Sequence, residues 1–299
     1  MSADGATFTA RVVASHGRHY LVEDAQGRRL EAVRRGKRGD VAVGDEVRCT
    51  ASGEAQAAIE AIEPRRSLLF RADAFRIKEL AANVDQVAIV YASHPSFNRW
   101  FVWKALLAAE AAGIAPLVVR NKSDLPDTEG AAAAFLASLA EMGYASASVA
   151  AKADAAGTLA TLDALCAGRV TLLVGQSGMG KSTLLNLLVP EAAARTQEYS
   201  QRLNLGKQTT TATRWFDYGE HGAVIDTPGF QEFGLAHLSR NAIEAALPDF
   251  RPCLGECRFA DCRHLKEPDC AVRAAVERGQ IARERYDFYC ALLAQAGTR

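Results

Sequence analysis

The stretch Gly175-Gln-Ser-Gly-Met-Gly-Lys-Ser182 decides the fold of this 299-residue chain. Two glycines separated by four residues and followed by Lys and Ser form the pattern of a phosphate-binding loop. The stretch stands directly after the apolar run Val170–Val174 and directly before Lys181–Leu188, whose apolar residues recur at helical spacing. A strand, a glycine-rich turn and a helix N-terminus in this order direct backbone N–H groups at a phosphate. The sequence therefore predicts a P-loop.

Two side chains of this loop have distinct expected roles. Lys181 supplies a positive charge to the β- and γ-phosphates, and the Ser182 hydroxyl is a ligand for Mg²⁺. The expected nucleotide-binding residues of the loop are Gly175, Gln176, Ser177, Gly178, Met179, Gly180, Lys181, Ser182 and Thr183.

A second motif, Asn121-Lys-Ser-Asp124, follows the apolar run Leu117–Val119. An ionised Asp124 accepts hydrogen bonds from the ring N–H and the exocyclic amine of guanine, whereas adenine offers an acceptor and lacks the second donor. We expect Asn121 to brace the loop, the stem of Lys122 to lie against the base, and Ser123 to belong to the same box. The motif therefore predicts that the nucleotide carries guanine.

A third motif, Asp226-Thr-Pro-Gly229, follows the apolar run Ala223–Ile225. We expect Asp226 to hold Mg²⁺ through a water molecule and the Gly229 N–H to contact the γ-phosphate. Between the P-loop and this motif lies Thr209-Thr-Thr211, in which Thr209 or Thr210 can complete the magnesium shell. The predicted magnesium ligands are Ser182, Thr210 and Asp226; the alternative for the threonines is a solvated loop.

The order of the three motifs is permuted, because the base box at residue 121 precedes the P-loop at residue 175. Strands and helices alternate around them, which predicts an α/β domain with a mostly parallel sheet covered by helices on both faces. Moving the chain ends to another surface loop preserves such a sheet. The segment after Gly229 then runs into the C-terminal module, and we expect nucleotide state to set the orientation of that module.

The two ends of the chain have different patterns from the centre. Short alternating segments between Thr7 and Pro64, separated by glycines, predict a five-stranded β-barrel of the OB type, with an SH3-like barrel as the alternative. Residues 65–83 read as a basic connector. Near the C-terminus, Cys257, Cys262, His264 and Cys270 offer three thiolates and an imidazole, a set typical of structural zinc. Cys253 is a rival ligand, and reduced core cysteines are the alternative to a metal site.

Composition limits the classes of partner. The formal charge is zero and 49% of the residues are apolar, so folded cores are expected and any contact with RNA must come from local patches. We see neither a basic leader followed by an apolar segment nor an apolar run long enough to span a membrane. We therefore expect a soluble, cytoplasmic, monomeric protein whose cysteines are reduced. The candidate RNA contacts, which can equally be solvated charges, are Arg34, Arg35, Lys37, Arg38, Arg65 and Arg66.

Together these motifs resemble the RsgA family, the small-ribosomal-subunit-dependent GTPases. The resemblance includes Ala82-Asn-Val-Asp85, Cys257-Arg-Phe-Ala-Asp-Cys-Arg-His264 and Glu267-Pro-Asp-Cys-Ala-Val272. It implies an OB-like barrel in residues 1–67, a circularly permuted GTPase domain in 68–236 and a zinc-binding, largely helical domain in 237–299. It also implies GTP hydrolysis to GDP with Mg²⁺, one structural Zn²⁺, binding to 16S rRNA, and a role in late maturation of the 30S subunit, which stimulates hydrolysis.

One position departs from the family pattern, because Gln208 stands where the first switch usually has histidine. Glutamine can orient a water by hydrogen bonding but cannot take its proton. Phe230 stands where Ras-like proteins carry a water-orienting glutamine, so unassisted hydrolysis is expected at about 10⁻³ s⁻¹ or below. The expected catalytic residues are Lys181, Gln208, Thr209 and Thr210. A P-loop ATPase or kinase, and a guanine-nucleotide-dependent RNA-binding switch with little hydrolysis, are the alternative functions.

Overall fold

The computed structural model describes residues 5, 7–34, 40–72, 77–193, 212–228 and 233–296. Its strands are β1 (Thr7–His16), β2 (His19–Asp24), β3 (Arg29–Arg34), β4 (Glu46–Ala51), β5 (Gln56–Ile62), β6 (Leu68–Ala72), β7 (Ile77–Ala82), β8 (Gln86–Tyr91), β9 (Ala115–Arg120), β10 (Ala145–Ser148), β11 (Val170–Val174), β12 (Thr213–Tyr218) and β13 (Gly222–Asp226). Its helices are α1 (Arg99–Ala111), α2 (Ala131–Glu141), α3 (Ala155–Cys166), α4 (Lys181–Leu188), α5 (Arg240–Ala245), α6 (Ala271–Glu277) and α7 (Arg283–Ala296).

The N-terminal strands close into a barrel. They pair in the order β1-β2-β3-β5-β4, and β4 pairs back onto β1, so the five strands form a ring. The pairing of β3 with β5 is parallel and the other pairings in the ring are antiparallel. Leu21, Val47 and Ile59 lie fully buried inside. The predicted five-stranded barrel is confirmed.

The central sheet runs in the order β10-β9-β8-β11-β13-β12. The first five strands of this series are parallel and β12 is antiparallel to β13. Every residue of β8, β11 and β13 is buried, as expected for strands covered on both faces. Because parallel strands have their carboxyl ends at one edge, the three predicted motifs all begin at the same edge of this sheet.

The barrel and the central sheet are joined by backbone pairing. The end of β1 pairs with the start of β12, with Ala14 opposite Arg214 and Ser15 opposite Thr213, so the strands form a continuous sheet. A hairpin of β6 and β7 forms where the sequence had predicted only a basic connector. Gly44 packs so closely on this hairpin that a Cβ there would collide with the carbonyl oxygen of Ala82.

Two helical segments differ from the sequence-based expectation. The alanine-rich stretch from Thr128 to Met142 predicts a single helix, but Glu129 and Gly130 have positive φ angles and α2 begins only at Ala131. The Asp127 carboxylate fixes this start, since it accepts hydrogen bonds from the first-turn N–H groups of Ala132 (3.0 Å) and Ala133 (2.9 Å). Helix α5 is short and was not predicted.

The C-terminal helices pack against α1. The ring of Phe288 lies 5.3 Å from that of Trp103 and 5.6 Å from that of Trp100. Arg285 is fully buried in this interface, with its Nε 3.3 Å from a carboxylate oxygen of Asp249. The C-terminal module is therefore anchored on the central domain by aromatic contacts. None of the helices in the described ranges is long and apolar enough to cross a membrane.

Candidate nucleotide and metal sites

The glycines of the predicted P-loop are required by its backbone. Gly178 and Gly180 have φ angles of 81° and 95°, which favour glycine. A Cβ on Gly175 would collide with the carbonyl oxygen of Val90, and one on Gly180 with the side-chain amide of Asn121. The loop therefore packs closely on the carboxyl ends of the neighbouring strands before it enters α4.

Lys181 is folded back onto this loop. Its ammonium group donates hydrogen bonds to the carbonyl oxygens of Gly175 (2.7 Å) and Gln176 (3.2 Å), and the residue is 7% exposed. Burial lowers the pKa of Lys181, and the nearby charge of Asp226 opposes that shift. A desolvated ammonium at a helix N-terminus strongly favours an anionic ligand such as a phosphate.

Asn121 connects three loops. Its side-chain amide donates to the carbonyl oxygen of Met179 in the P-loop at 3.1 Å. Its side-chain oxygen accepts from the N–H of Ala151 at 3.3 Å, and its own N–H bonds to Tyr91 at the end of β8. The residue is 2% exposed. The bracing role expected for Asn121 therefore has a definite geometry, in which one amide holds the base box against the P-loop.

Lys122 lies over the P-loop as well. Its ammonium donates to the carbonyl oxygens of Gly178 (2.7 Å) and His94 (2.8 Å). The Ser123 N–H bonds to the carbonyl oxygen of Val149 at 3.0 Å, which ties the box to the end of β10. Asp124, two residues beyond Lys122, is exposed and hence accessible to a ligand.

A cleft of about 410 Å³ brings the motifs together. Its walls combine Lys122 of the base box, Lys181 and Ser182 of the P-loop, and Asp226. The volume lies within the range of small-ligand sites, roughly 300–1,000 Å³. Residues more than 100 positions apart in the chain thus face one cavity. The remaining wall comes from Lys152, Ser177, Gly178, Gly180, Thr183 and Thr227.

Asp226 is a buried carboxylate, 6% exposed, at the end of β13. Burial raises its pKa to about 6, while the positive charges of Lys181 and Arg214 oppose the shift. The next residue, Thr227, donates its hydroxyl to the carbonyl oxygen of Leu173 at 2.7 Å. A buried carboxylate and the Ser182 hydroxyl on one cleft are a donor set suited to Mg²⁺, which prefers oxygen ligands.

Two further segments at this site were missed from the sequence. One is Ala151–Lys152, which follows β10 and contacts Asn121 and the cleft. The sequence does carry a signal for this segment, because Lys152 comes shortly after strand β10, as Asn121 comes directly after strand β9. The other is the loop after β8, where the Asn98 N–H bonds to the Gln176 side chain at 3.1 Å. Gln208, Thr209, Thr210, Gly229 and Phe230 lie outside the described residues.

The four predicted zinc ligands converge in the C-terminal module. The Nδ1 atom of His264 lies 3.5, 3.6 and 3.4 Å from the sulfurs of Cys257, Cys262 and Cys270. The sulfurs of Cys257 and Cys270 are 3.9 Å apart. A tetrahedral ion bound at about 2.3 Å to sulfur and about 2.0 Å to nitrogen requires sulfur–nitrogen edges of about 3.5 Å and sulfur–sulfur edges of about 3.8 Å. The cluster therefore has the dimensions of a closed tetrahedral metal site.

Backbone groups around the cluster favour thiolates. The sulfurs of Cys257, Cys262 and Cys270 accept N–H groups from Ala271 (3.4 Å), His264 (3.4 Å) and Arg273 (3.5 Å). Without a metal, burial raises the pKa of Cys262 to about 12. Burial of a thiolate is unfavourable unless a nearby cation compensates its negative charge, so the cluster is suited to a metal ion. Cys253 is not among the four residues whose ligand atoms lie within 4.8 Å of one another.

A carboxylate lies behind His264, on the side away from the three cysteines. Nε2 of His264 lies 3.9 Å from Glu244, whose carboxylate accepts a hydrogen bond from the Tyr289 hydroxyl at 2.7 Å. Burial lowers the pKa of His264, which favours the neutral imidazole that binds metals. Carboxylates in this position commonly orient ligating histidines. Glu244 lies on α5, the helix absent from the sequence-based expectation.

The candidate RNA-contact arginines are engaged within the fold. Arg65 forms two hydrogen bonds, of 2.7 and 2.8 Å, to the fully buried carboxylate of Asp45. Arg34 pairs with Asp40 at 3.0 Å and Arg66 with Asp85 at 2.7 Å. The Arg66 side chain is still 65% exposed, the most accessible of the three. Arg35, Lys37 and Arg38 lie outside the described residues.

Comparison with known proteins gives concordant matches. The family model for the RsgA GTPase matches residues 62–236. A small ribosomal subunit biogenesis GTPase RsgA from Ralstonia pickettii is 46% identical, with 94% of this chain and 91% of the relative covered. The protein of that name from Bordetella pertussis is 48% identical, with 94% of each covered.

Two solved structures share the whole architecture. YjeQ from Thermotoga maritima superposes with a TM-score of 0.72 at 28% identity, covering 98% of this chain and all of the other. YloQ, described as a circularly permuted GTPase, superposes with a TM-score of 0.69 at 26% identity, covering 98% and 96%. The permuted order and the three-part architecture expected from the sequence are confirmed.

Proposed function

This chain belongs to the RsgA GTPase family, and we propose that it couples hydrolysis of GTP to late maturation of the 30S ribosomal subunit in the cytoplasm. The observation that carries the proposal is the cleft in which the base box, the P-loop and Asp226 meet. Small ribosomal subunit biogenesis is the role named for relatives that match nearly the whole chain. In the proposed division, residues 1–67 form the RNA-binding domain, residues 68–236 the nucleotide-binding domain and residues 237–299 the zinc-binding domain.

The proposed nucleotide site assigns a task to each box. The P-loop N–H groups and Lys181 bind the phosphates, and Asp124 reads the guanine edge. The hydrogen bonds from Asn121 to Met179 and from Lys122 to Gly178 support this assignment, because they fix the base box relative to the phosphate loop. A pocket held rigid before the nucleotide arrives loses less conformational freedom on binding.

The proposed chemistry relies on charge and orientation. Mg²⁺, when bound with GTP, neutralises charge that develops on the phosphates. Asp226, Ser182 and Thr210 would hold it, while Lys181 stabilises the β- and γ-phosphate oxygens. Gln208 would orient the attacking water without accepting its proton. Phe230 has no polar group for that task, so hydrolysis by the free protein is slow and contact with the subunit accelerates it.

The test is GTP turnover with and without purified 30S subunits. We expect stimulation of about tenfold or more, because groups supplied in trans raise such rates by large factors. Purified 50S subunits are the matched control and should have no effect. A rate that stays at the basal level with 30S subunits would favour the RNA-binding switch, and turnover of ATP that GTP cannot inhibit would favour the ATPase or kinase.

Replacement of Asp124 by asparagine tests the base box. We expect GTP affinity to fall by about 100-fold or more, since an amide presents a donor where guanine also presents donors. Xanthine nucleotides, which carry a carbonyl in place of the amine, should gain affinity. Titration with fluorescent GTP and XTP measures both changes. Glu129→Gln, which alters an exposed carboxylate near the same loop, is the control, and an unchanged GTP affinity in Asp124→Asn would contradict the assignment.

A further inference from the structure

The first turns of helix α1 carry contacts with helix α7 of the C-terminal module. The Arg99 guanidinium pairs with the Glu284 carboxylate of α7 at 2.8 Å. Trp100 and Trp103 both contact the ring of Phe288 on α7, and Phe288 is fully buried. Residues 99 and 103 are four positions apart and hence lie on the same side of a helix. Helix α7 therefore packs along the N-terminal end of α1.

Asn98, the residue before α1, joins this helix to the P-loop. Its side-chain oxygen accepts the N–H groups of Trp100 at 2.9 Å and Phe101 at 3.3 Å, the hydrogen bonds of a helix N-cap. Its own N–H donates to the side-chain oxygen of Gln176 at 3.1 Å. One residue thus fixes both the start of α1 and a side chain of the P-loop. A displacement of the first turn of α1 therefore moves the group that holds Gln176.

The loop between β8 and α1, residues 92–98, packs on the P-loop at a second point. A Cβ added to Gly178 would lie 3.2 Å from Cγ of Pro95, so the proline ring lies directly against the P-loop. The carbonyl oxygen of His94 accepts a hydrogen bond from the ammonium of Lys122, which also bonds to Gly178. Because this connection is short and makes contacts at both ends, the start of α1 and the P-loop have few independent positions.

We propose that docking of α7 on α1 positions the P-loop for phosphate, with Asn98 and Gln176 as the positioning residues. The inference rests on the proposed nucleotide site and adds to it a helix whose described residues are not among the walls of the cleft. A P-loop held in its binding conformation loses less conformational freedom when the phosphate arrives, so the affinity is higher. By linkage, the bound nucleotide holds α7 on α1 by the same factor.

The first test is a double-mutant cycle on the affinity of the full chain for fluorescent GDP with Mg²⁺. Phe288→Ala removes the ring that contacts both tryptophans, and Gln176→Met removes the acceptor for the Asn98 N–H. We expect each change to weaken binding by about fivefold, a value typical of one hydrogen bond. The double variant should bind no more weakly than Gln176→Met alone, because both changes act through one link.

Two results of this cycle would overturn the proposal. Losses that multiply to about 25-fold in the double variant would mean that Phe288 and Gln176 act independently. Wild-type affinity in Phe288→Ala, with a shift of tryptophan fluorescence showing that α7 has left α1, would remove the role of α7. Phe259→Ala is the matched control, since this ring lies 41% exposed in the loop of the cysteine cluster, and it should bind GDP as the wild type does.

Hydrogen exchange of α7 gives the reciprocal measurement and requires no change in the module, so it decides alone if Phe288→Ala does not fold or keeps α7 docked. In the wild-type protein, saturating GDP should slow exchange of the amides of Arg283–Ala296 by about fivefold. Gln176→Met should lose this protection even when saturated with GDP. Gln176→Glu, which keeps an acceptor oxygen, should retain it.

The barrel strand β5 is the control segment for the exchange measurement, and its exchange should not depend on Gln176. Exchange of α7 that GDP leaves unchanged in the wild type, or equal protection in Gln176→Met, would contradict the proposal. Failure of the wild-type protein to bind GDP at all would instead refute the proposed function.

Discussion

Replacement of Lys181 by alanine is expected to abolish basal GTP turnover and to reduce the turnover stimulated by 30S subunits by about 10²–10³. Lys181 is the buried cation of the P-loop and bonds to two loop carbonyl oxygens. In a water-excluded site its charge stabilises the phosphate oxygens far more than it would in bulk water. Loss of one such group costs about 10²–10³ in rate. An unassisted rate that is already slow then falls below detection.

The fold of this variant should survive, which separates lost chemistry from lost structure. Burial opposes the charged form of Lys181, so removing the ammonium relieves a desolvation cost while it removes two hydrogen bonds. We expect these terms to offset, leaving the unfolding temperature within about 4 °C of the wild type. Lys104→Ala on α1 serves as the control. Turnover in Lys181→Ala close to that of Lys104→Ala would mean that the loop has been misread.

The central site was predictable because its signals are local. The P-loop is adjacent in sequence to the two stretches that flank it, Val170–Val174 and Lys181–Leu188. The structure confirms these stretches as strand β11 and helix α4. The base box and Asp226 were found by the same rule, a polar motif at the end of an apolar strand. Their meeting in one cleft followed from the parallel order of the strands, even though the boxes are permuted along the chain.

The contacts between distant parts were not predictable in this way. Pairing of Ala14–Ser15 with Thr213–Arg214 joins residues about 200 positions apart, and neither stretch carries a local mark of its partner. The β6–β7 hairpin was missed because the charges of residues 65–83 concealed its strands. Glu244, behind the predicted zinc ligand His264, lies on a helix of only six residues, too short for a periodic pattern. In each case tertiary contacts, rather than sequence pattern, select the structure.

Removal of the metal is the second change with a large expected effect, and it should unfold the C-terminal module. We propose that the cluster holds one structural Zn²⁺, since four protein ligands leave no open position for catalysis. Binding of zinc to such a site contributes on the order of 10 kcal/mol or more to folding. The described part of this module has a small apolar core, built around residues such as Phe250, Val272 and Phe288. Without the ion, the buried thiols and His264 would lose the group that holds their loops together.

A strong chelator or Cys262→Ser should therefore release one zinc per chain and expose the surface of α1. Trp100 and Trp103 both contact Phe288, so tryptophan fluorescence should shift as the module detaches, in parallel with the loss of zinc measured by mass spectrometry. Cys253→Ser is the matched control, because Cys253 lies in the same module but outside the cluster. It should retain zinc and the wild-type fluorescence. Retention of zinc by Cys262→Ser together with its loss from Cys253→Ser would show that the ligand set has been assigned wrongly.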